Sequence, residues 1–487
     1  MFKKRYKTLI YIILILLLLA DTGYSFWQHQ AKALDGDMAW NAIPDKDVLP
    51  VLSNPFGLPA ILEGETYVNP NKFFCHWFNQ FYILKAPLYL QTWFSPIESV
   101  YVAMGIARTL IQIFLTVLIA IFITKSIQFW TFKGVSAMFL IVCLFQTNGF
   151  YRQMAIIDES TTYVFFYALP FVFFLLYILP FVRIVYWNKA QKTSWWIKLL
   201  WIPLALVVCL SGPLNPGIAL VFSALVFFHI WVKLYKNQFR TSRNYNPFGV
   251  FKRIPGPYYF YLSPLILFSF YSLYLGSFNS LSIQSEIPLQ DLYFKILEGI
   301  HPIFFGSEAY VFIFLLIFIN LIFIGNKKSH LYHKEIYRLA TWVFIFCFLY
   351  IALLPLGGYR AYRPFVIRND TLLPIIVSFV FLYGITTLHL IKKLRKFKLV
   401  YLILIGGFIF FYTKMDNENF DKNECEKFSL QLMAESESNS IVLNDNCAPL
   451  GWFLSRYPED SKLQAKLIKH WNITTREVLY CNSYNNN

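Results

Sequence analysis

The chain has 487 residues, of which 57% are hydrophobic, 20% aromatic and only 14% charged, with a formal net charge of +16. So much apolar side chain cannot be hidden in one water-facing core and needs lipid as its solvent, which excludes a soluble enzyme or binding module. The positive charge does not point to nucleic acid, because it sits in short loops beside apolar runs, where anionic headgroups are the counter-charge.

Apolar runs of spanning length fall at 8–27, 97–122, 135–147, 161–182, 195–210, 214–232, 257–276, 308–324, 339–356, 371–391 and 399–413. The expected fold is an all-α polytopic membrane protein with about eleven transmembrane helices over 1–413, followed by a small C-terminal α/β extracytoplasmic domain over 414–487. Six basic stretches (1–8, 124–134, 183–198, 233–253, 326–338 and 392–398) hold 25 of the 43 Lys and Arg and one acid, Glu335. Loops retained in the cytoplasm keep Lys and Arg, so these stretches are expected inside, with the N-terminus inside and the C-terminus outside. The pattern fits a bacterial inner membrane.

The first run follows Lys3, Lys4, Arg5 and Lys7, and Leu9–Ala20 alone is as short as the apolar part of a signal peptide. Its extension through Tyr24, Phe26 and Trp27 predicts an uncleaved anchor. The outward loop 28–96 is too long for a mere connector. It opens with Leu34-Asp35-Gly36-Asp37-Met38-Ala39, two carboxylates on a short tether from the membrane. Carboxylates so placed suit a base that takes an acceptor proton and a second acid that positions acceptor or metal. A solvated turn would show the same Asp-x-Asp. Further on, Phe73–Phe94 is crowded with aromatic residues and poor in charge, as helices lying in the headgroup zone are.

Arg108 lies inside the second run, so an acid or phosphate should be close to it. The run 135–147 is short and would need its flanks to cross. Beyond it come Arg152 and the pair Asp158-Glu159, a candidate second acidic site; a cap for the next helix, built on Asp158 or Ser160, is the plainer reading. Ser211–Gly217 reads as a tight outward turn. Over Ile287–Ile300 the stripe Leu289, Leu292, Tyr293, Ile296 and Leu297 predicts a helix on the bilayer surface. Glu298 and His301 could join a site from there, although an interfacial role explains them as well; His330 and His333 sit among lysines and receive no role.

Gly357–Asp370 breaks the charge pattern, with Arg360, Arg363 and Arg368 but no lysine on the outward side. Guanidinium forks bind oxyanions bidentately, so a phosphate site is one reading and snorkelling to headgroups the other. In the tail, Ser429–Asn439 reads as helix and Ser440–Leu443 as strand. Cys143, Cys209 and Cys347 read as packing residues inside spans; Cys75, Cys425, Cys447 and Cys481 face the oxidising side, with one tail disulfide plausible and its pairing open. No Gly-rich phosphate loop and no zinc-ligand spacing is present, so a nucleotide donor has no seat.

This plan resembles the GT-C superfamily of integral membrane glycosyltransferases: N-terminus inside, many spans, a long first outward loop beginning with acids, surface amphipathic helices and, in some members, a C-terminal outer domain. No Trp-Trp-Asp acceptor signature of the oligosaccharyltransferase branch is found. The resemblance implies transfer of a sugar from a polyprenyl-phosphate-linked donor to an extracytoplasmic acceptor with inversion at the anomeric carbon. It places Asp35 or Asp37 as the catalytic acid group, Asp158 and Glu159 as the second-loop acids, and Arg360, Arg363 and Arg368 at the donor phosphate. The cofactor is unknown, a divalent cation being the candidate; the partners are the lipid-linked donor and membrane lipids, with the acceptor open. A lipid or polysaccharide transporter, and a non-enzymatic assembly subunit, are the competing readings.

Overall fold

A computed structural model describes residues 2–145, 156–189, 194–241, 249–283, 287–306, 308–325, 331–357, 365–416, 420–444 and 446–483. Among these, nine helices are long and apolar enough to cross a membrane: Arg5–Gln30, Pro96–Thr124, Thr161–Val185, Asn215–Asn237, Gly256–Gly276, Glu308–Gly325, His333–Gly357, Leu373–Lys393 and Lys398–Met415. The protein is therefore an all-α integral membrane protein. Even the shortest, with 18 residues, rises about 27 Å at 1.5 Å per residue, close to the hydrocarbon thickness.

Among the described residues, two of the eleven expected runs form no helix of spanning length. The run 135–147 forms the 11-residue helix Phe132–Val142. The run 195–210 is divided into Trp195–Leu199 and Trp201–Cys209. Pro203 explains the division, since its ring clashes with the carbonyl four residues back, at Leu199, and it lacks the N–H to bond there. The first helix in turn runs on to Gln30, so the first loop starts three residues later than expected.

Burial sorts the helices into layers. Leu373–Lys393 is 78% buried over its apolar window and Pro96–Thr124 is 67% buried, whereas Arg5–Gln30 is 6% and Lys398–Met415 22% buried. Helices apolar all round occupy the centre, and those whose apolar surface stays open face lipid. In the centre Asn320 donates to Thr386 and Thr387 at 3.0 and 3.1 Å and accepts from Tyr401 at 2.8 Å. These groups satisfy one another and tie three helices together.

The two ends of the bundle differ in charge. At one end Lys189 donates to the Lys125 carbonyl at 3.0 Å, Lys133 to that of Thr124 at 2.8 Å, and Lys7 lies 5.2 Å from the Phe132 ring centre. The acids of the first two loops and the tail collect at the other end. There the helix Phe73–Leu90 turns Cys75, His76, Asn79, Ile83 and Pro87 inward, leaving Trp77, Phe81 and Tyr89 exposed. Leu289–Phe305 buries Leu292 and Ile296 and exposes Leu289, Tyr293, Phe294 and Leu297. Both have the one-sided character expected of helices at a bilayer surface.

The tail forms the helix Glu424–Glu435, strand β1 (Ser440–Leu443), the helix Lys462–His470 and strand β2 (Leu479–Asn482). The strands pair in parallel with Ser440 opposite Leu479, a register that needs a helix as crossover. The tail helix begins five residues before the expected Ser429. Cys425 and Cys447 are disulfide-bonded with Cα atoms 6.0 Å apart. Its apolar core is not its own. Leu430, Met433, Leu443, Leu467, Trp471 and Tyr480 pack in one cluster with Leu34, Met38, Ala42, Ile83, Tyr101 and Met104 of the first loop and second span. Trp471 is fully buried and donates its indole N–H to the Ile83 carbonyl at 2.9 Å.

Candidate functional site

Asp35 stands at the first turn after the Arg5–Gln30 helix. Its carbonyl accepts the Met38 N–H at 3.1 Å, which starts the short helix Asp37–Ala42. Its carboxylate is 4% exposed, and Oδ2 accepts the Thr162 N–H at 3.1 Å, in the opening turn of the Thr161–Val185 helix. A helix N-terminus favours an anion there. Oδ1 is buried, with no hydrogen-bond partner among the described residues. Burial raises the Asp35 pKa and the Asp37 charge adds to that, while the Thr162 bonds work the other way. Asp37 itself is half-buried at the N-terminus of its helix.

Arg108 is 1% exposed and donates to the carbonyl of His29 at 2.7 Å and to that of Glu159. Asp35, Asp158 and Glu159 are the negative charges acting on it. One guanidinium thus sits among three acids from two different loops, which meets the requirement that a cation inside a span have a partner.

Ser160 caps the helix, its Oγ accepting the Tyr163 N–H at 3.1 Å, and Asp158 accepts the N–H of Ser160 at 2.8 Å, one step outside the cap. That bond does not keep Asp158 acidic. Burial, with the Asp370 and Glu159 charges, lifts its pKa to about 7. Asp158 and Asp370 line one narrow cavity with Ile156, Tyr163, Val164, Tyr167, Ala168 and Leu373, with room for about one water molecule. The wall is a π-helical turn, Val164–Ala168; such wide turns recur at functional sites. Tyr163 and Tyr167 meet edge to face with centroids 5.9 Å apart.

Glu159 points elsewhere. Its Oε1 accepts from Lys32 at 3.1 Å and Lys422 at 2.7 Å. Burial works against its charge, but the two ammonium groups outweigh it and hold the carboxyl below its usual range. Glu159 therefore joins the first loop, the second loop and the tail, and is less suited than Asp158 to proton transfer.

Arg368 does not present an open fork: Nε and Nη2 hold the two oxygens of Asp370 at 3.0 and 2.8 Å. The pairing follows from spacing, since Asp370 lies two residues on in the same turn. Arg152, Arg360 and Arg363 lie outside the described residues. Glu298 and His301 are exposed on the Leu289–Phe305 helix and do not line the cavity, although Gly299 packs on the Ile367 carbonyl next to Arg368. The acids gather by twos and not as a metal cage: among the described residues no three His, Cys, Asp or Glu could hold an ion together.

Comparison with protein-family models, curated proteins and solved structures gives no match. The site must therefore be read from its own chemistry.

Several of its members carried no signal in the sequence. Glu426 is 2% exposed and accepts from the N–H groups of Leu34 and Leu450 and from the Tyr101 hydroxyl, each at 2.8 Å. Burial outweighs these bonds and raises it to about 7. Trp452 covers Gly36 so closely that a Cβ there would lie 2.5–2.7 Å from its ring and backbone N. The Trp452 ring also reaches Tyr163, with centroids 6.1 Å apart. Lys32 and Lys422 have no feature in the sequence that sets them apart from other loop and tail cations. The second acid of the cavity, Asp370, was visible only as the end of the arginine segment.

Proposed function

We propose that this protein is a glycosyltransferase of the membrane surface, taking a sugar from a polyprenyl-phosphate-linked donor at the extracytoplasmic side of a bacterial inner membrane. The observation that carries the reading is that remote stretches of chain bring acids to the head of the Thr161–Val185 helix: Asp35 bonds the Thr162 N–H, Asp158 lines the neighbouring cavity with Asp370, and the Arg108 charge acts on both Asp35 and Asp158. In the proposed reaction Asp35 Oδ1 takes the proton of an acceptor hydroxyl. The acceptor oxygen bonds the anomeric carbon from the face opposite the phosphate, and the carbon–oxygen bond to phosphate breaks with its electron pair leaving on the phosphate. Configuration inverts. A base with raised proton affinity suits the first step, and burial supplies that for Asp35.

The leaving phosphate needs positive charge. Arg360, Arg363 and Arg368 are the groups assigned to it, with Arg368 giving up one bond to Asp370 on loading. The helix Leu289–Phe305 exposes an apolar face at Leu289, Tyr293, Phe294 and Leu297 and packs its buried Gly299 beside Phe365 and Ile367, so an apolar surface lies on the helix next to this segment, which supports a lipid-borne donor. Transport gains less support, because the buried polar groups Asn320, Thr386, Thr387 and Tyr401 of the spans hydrogen-bond one another.

The test is transfer of labelled hexose from synthetic polyprenyl phosphate hexoses in membranes containing the protein. Asp35→Asn keeps an oxygen for the Thr162 N–H but cannot take a proton, so transfer should fall about 10²-fold or more. Full activity in that variant, or no transfer from any such donor by the unaltered protein, overturns the proposal.

A further inference from the structure

The tail and the first loop share more than a core. Glu426, from the Glu424–Glu435 helix, sends Oε2 to the N–H of Leu34 and the Tyr101 hydroxyl, and Oε1 to the N–H of Leu450, each at 2.8 Å. Leu34 immediately precedes Asp35, and Leu450 lies two residues before Trp452, whose backbone N and ring lie on Gly36. The turn Leu34-Asp35-Gly36 is thus gripped from both sides by one segment of the tail. A buried carboxyl bonded to three donors is costly to remove, because each donor would then stay buried without an acceptor.

We infer that Glu426 is a positioning residue for Asp35: its bonds to the Leu34 and Leu450 N–H groups hold the turn where Asp35 meets Thr162, so the tail completes the site. This rests on the reading of Asp35 as the working base. Lys427 pairs with Glu98 at 2.8 Å, and Asn423 donates to the Gln30 carbonyl at 3.0 Å. The tail helix is thereby seated along the outer ends of the first two spans, with Glu426 between these contacts.

The test is amide hydrogen exchange on the full chain in lipid nanodiscs, comparing the unaltered protein with Glu426→Ala and Glu426→Gln. The decisive amide is that of Thr162, which bonds Asp35 and has no bond to Glu426. If Glu426 positions Asp35, Glu426→Ala raises exchange about tenfold or more at Leu34, Leu450 and Thr162 together. A purely structural role in the tail would release Leu34 and Leu450 but leave Thr162 protected, which overturns the inference, as does no change at all. Glu426→Gln keeps one acceptor oxygen and should show the same linkage more weakly; it decides the case if the alanine variant does not fold. Asp35→Ala sets the scale, releasing Thr162 while Leu34 and Leu450 stay protected. Failure here leaves Asp35 free to be the base, and failure of Asp35→Asn to lower transfer leaves the exchange linkage standing, so the two ideas fail separately.

Discussion

Replacing Arg108 by Met keeps most of the side-chain volume and removes the charge that Asp35, Asp158 and Glu159 face. Two bonds to carbonyls go with it, those of His29 and Glu159. Hydrogen bonds from charged groups contribute about 1.5–3 kcal/mol each, so losing the two costs about 3–6 kcal/mol. Withdrawing the positive charge that Asp35 and Asp158 face adds a part that depends on pH. Asp158 is lifted to about 7 by burial even with the Arg108 charge holding it down, so in the variant it lies higher still; at about pH 6 it is protonated and adds little to the penalty, whereas at about pH 8 the penalty is larger. Thermal unfolding in detergent, followed by tryptophan fluorescence at both pH values, reads this directly. Arg108→Lys, which keeps the charge but not the fork, should lose less, and by the same amount at either pH. An Arg108→Met variant as stable as the parent at the higher pH, or one whose deficit is equal at both, would refute the reasoning.

Gly36→Ala places a Cβ 2.5–2.7 Å from Trp452, one of whose contacts is backbone and cannot swing aside. Overpacking of this kind costs about 1–3 kcal/mol and should appear as a lowered melting temperature, whereas Gly217→Ala, with nothing within 4 Å of its Cβ, should not lower it by a comparable clash. Asp158 and Glu426 both rise to about 7, from 3.8 and 4.5, chiefly by burial. The folded state thus binds more protons than the unfolded one between about pH 4 and 7. Their contribution to stability is fully present below the unfolded pKa values and is lost as pH rises through about 7, by on the order of 1.4 kcal/mol for each pH unit separating the folded from the unfolded value. Unfolding curves across that range for Asp158→Asn and Glu426→Gln should be flatter than the parent's; an unchanged slope would count against the burial of these carboxyls.

The membrane-crossing plan was legible because each span repeats the same simple signal, a long apolar run ended by charge. Two runs are helical over less than a spanning length: Pro203 breaks 195–210 whatever its hydropathy, and 135–147, short already in the sequence, gives the helix Phe132–Val142 among the described residues. At the candidate site Asp35, Arg108 and Asp158 could be picked out because charge beside or inside a span is costly and so stands out. Glu426 and Lys422 could not, since in a polar tail an acid and a lysine are commonplace until folding buries one and pairs the other. At Arg368 the sequence displayed the cation but not its partner: Asp370, two residues on, holds the fork.

The shared core of first loop and tail also bears on how the chain is made. Met38, Ala42, Ile83 and Tyr101 emerge from the ribosome hundreds of residues before Leu430, Leu467 and Trp471, which cover them. Through the whole insertion of the later spans, that apolar surface must wait for its lid, open to chaperones and proteases. A chain released early, lacking only its tail, would carry every span and still be marked for degradation.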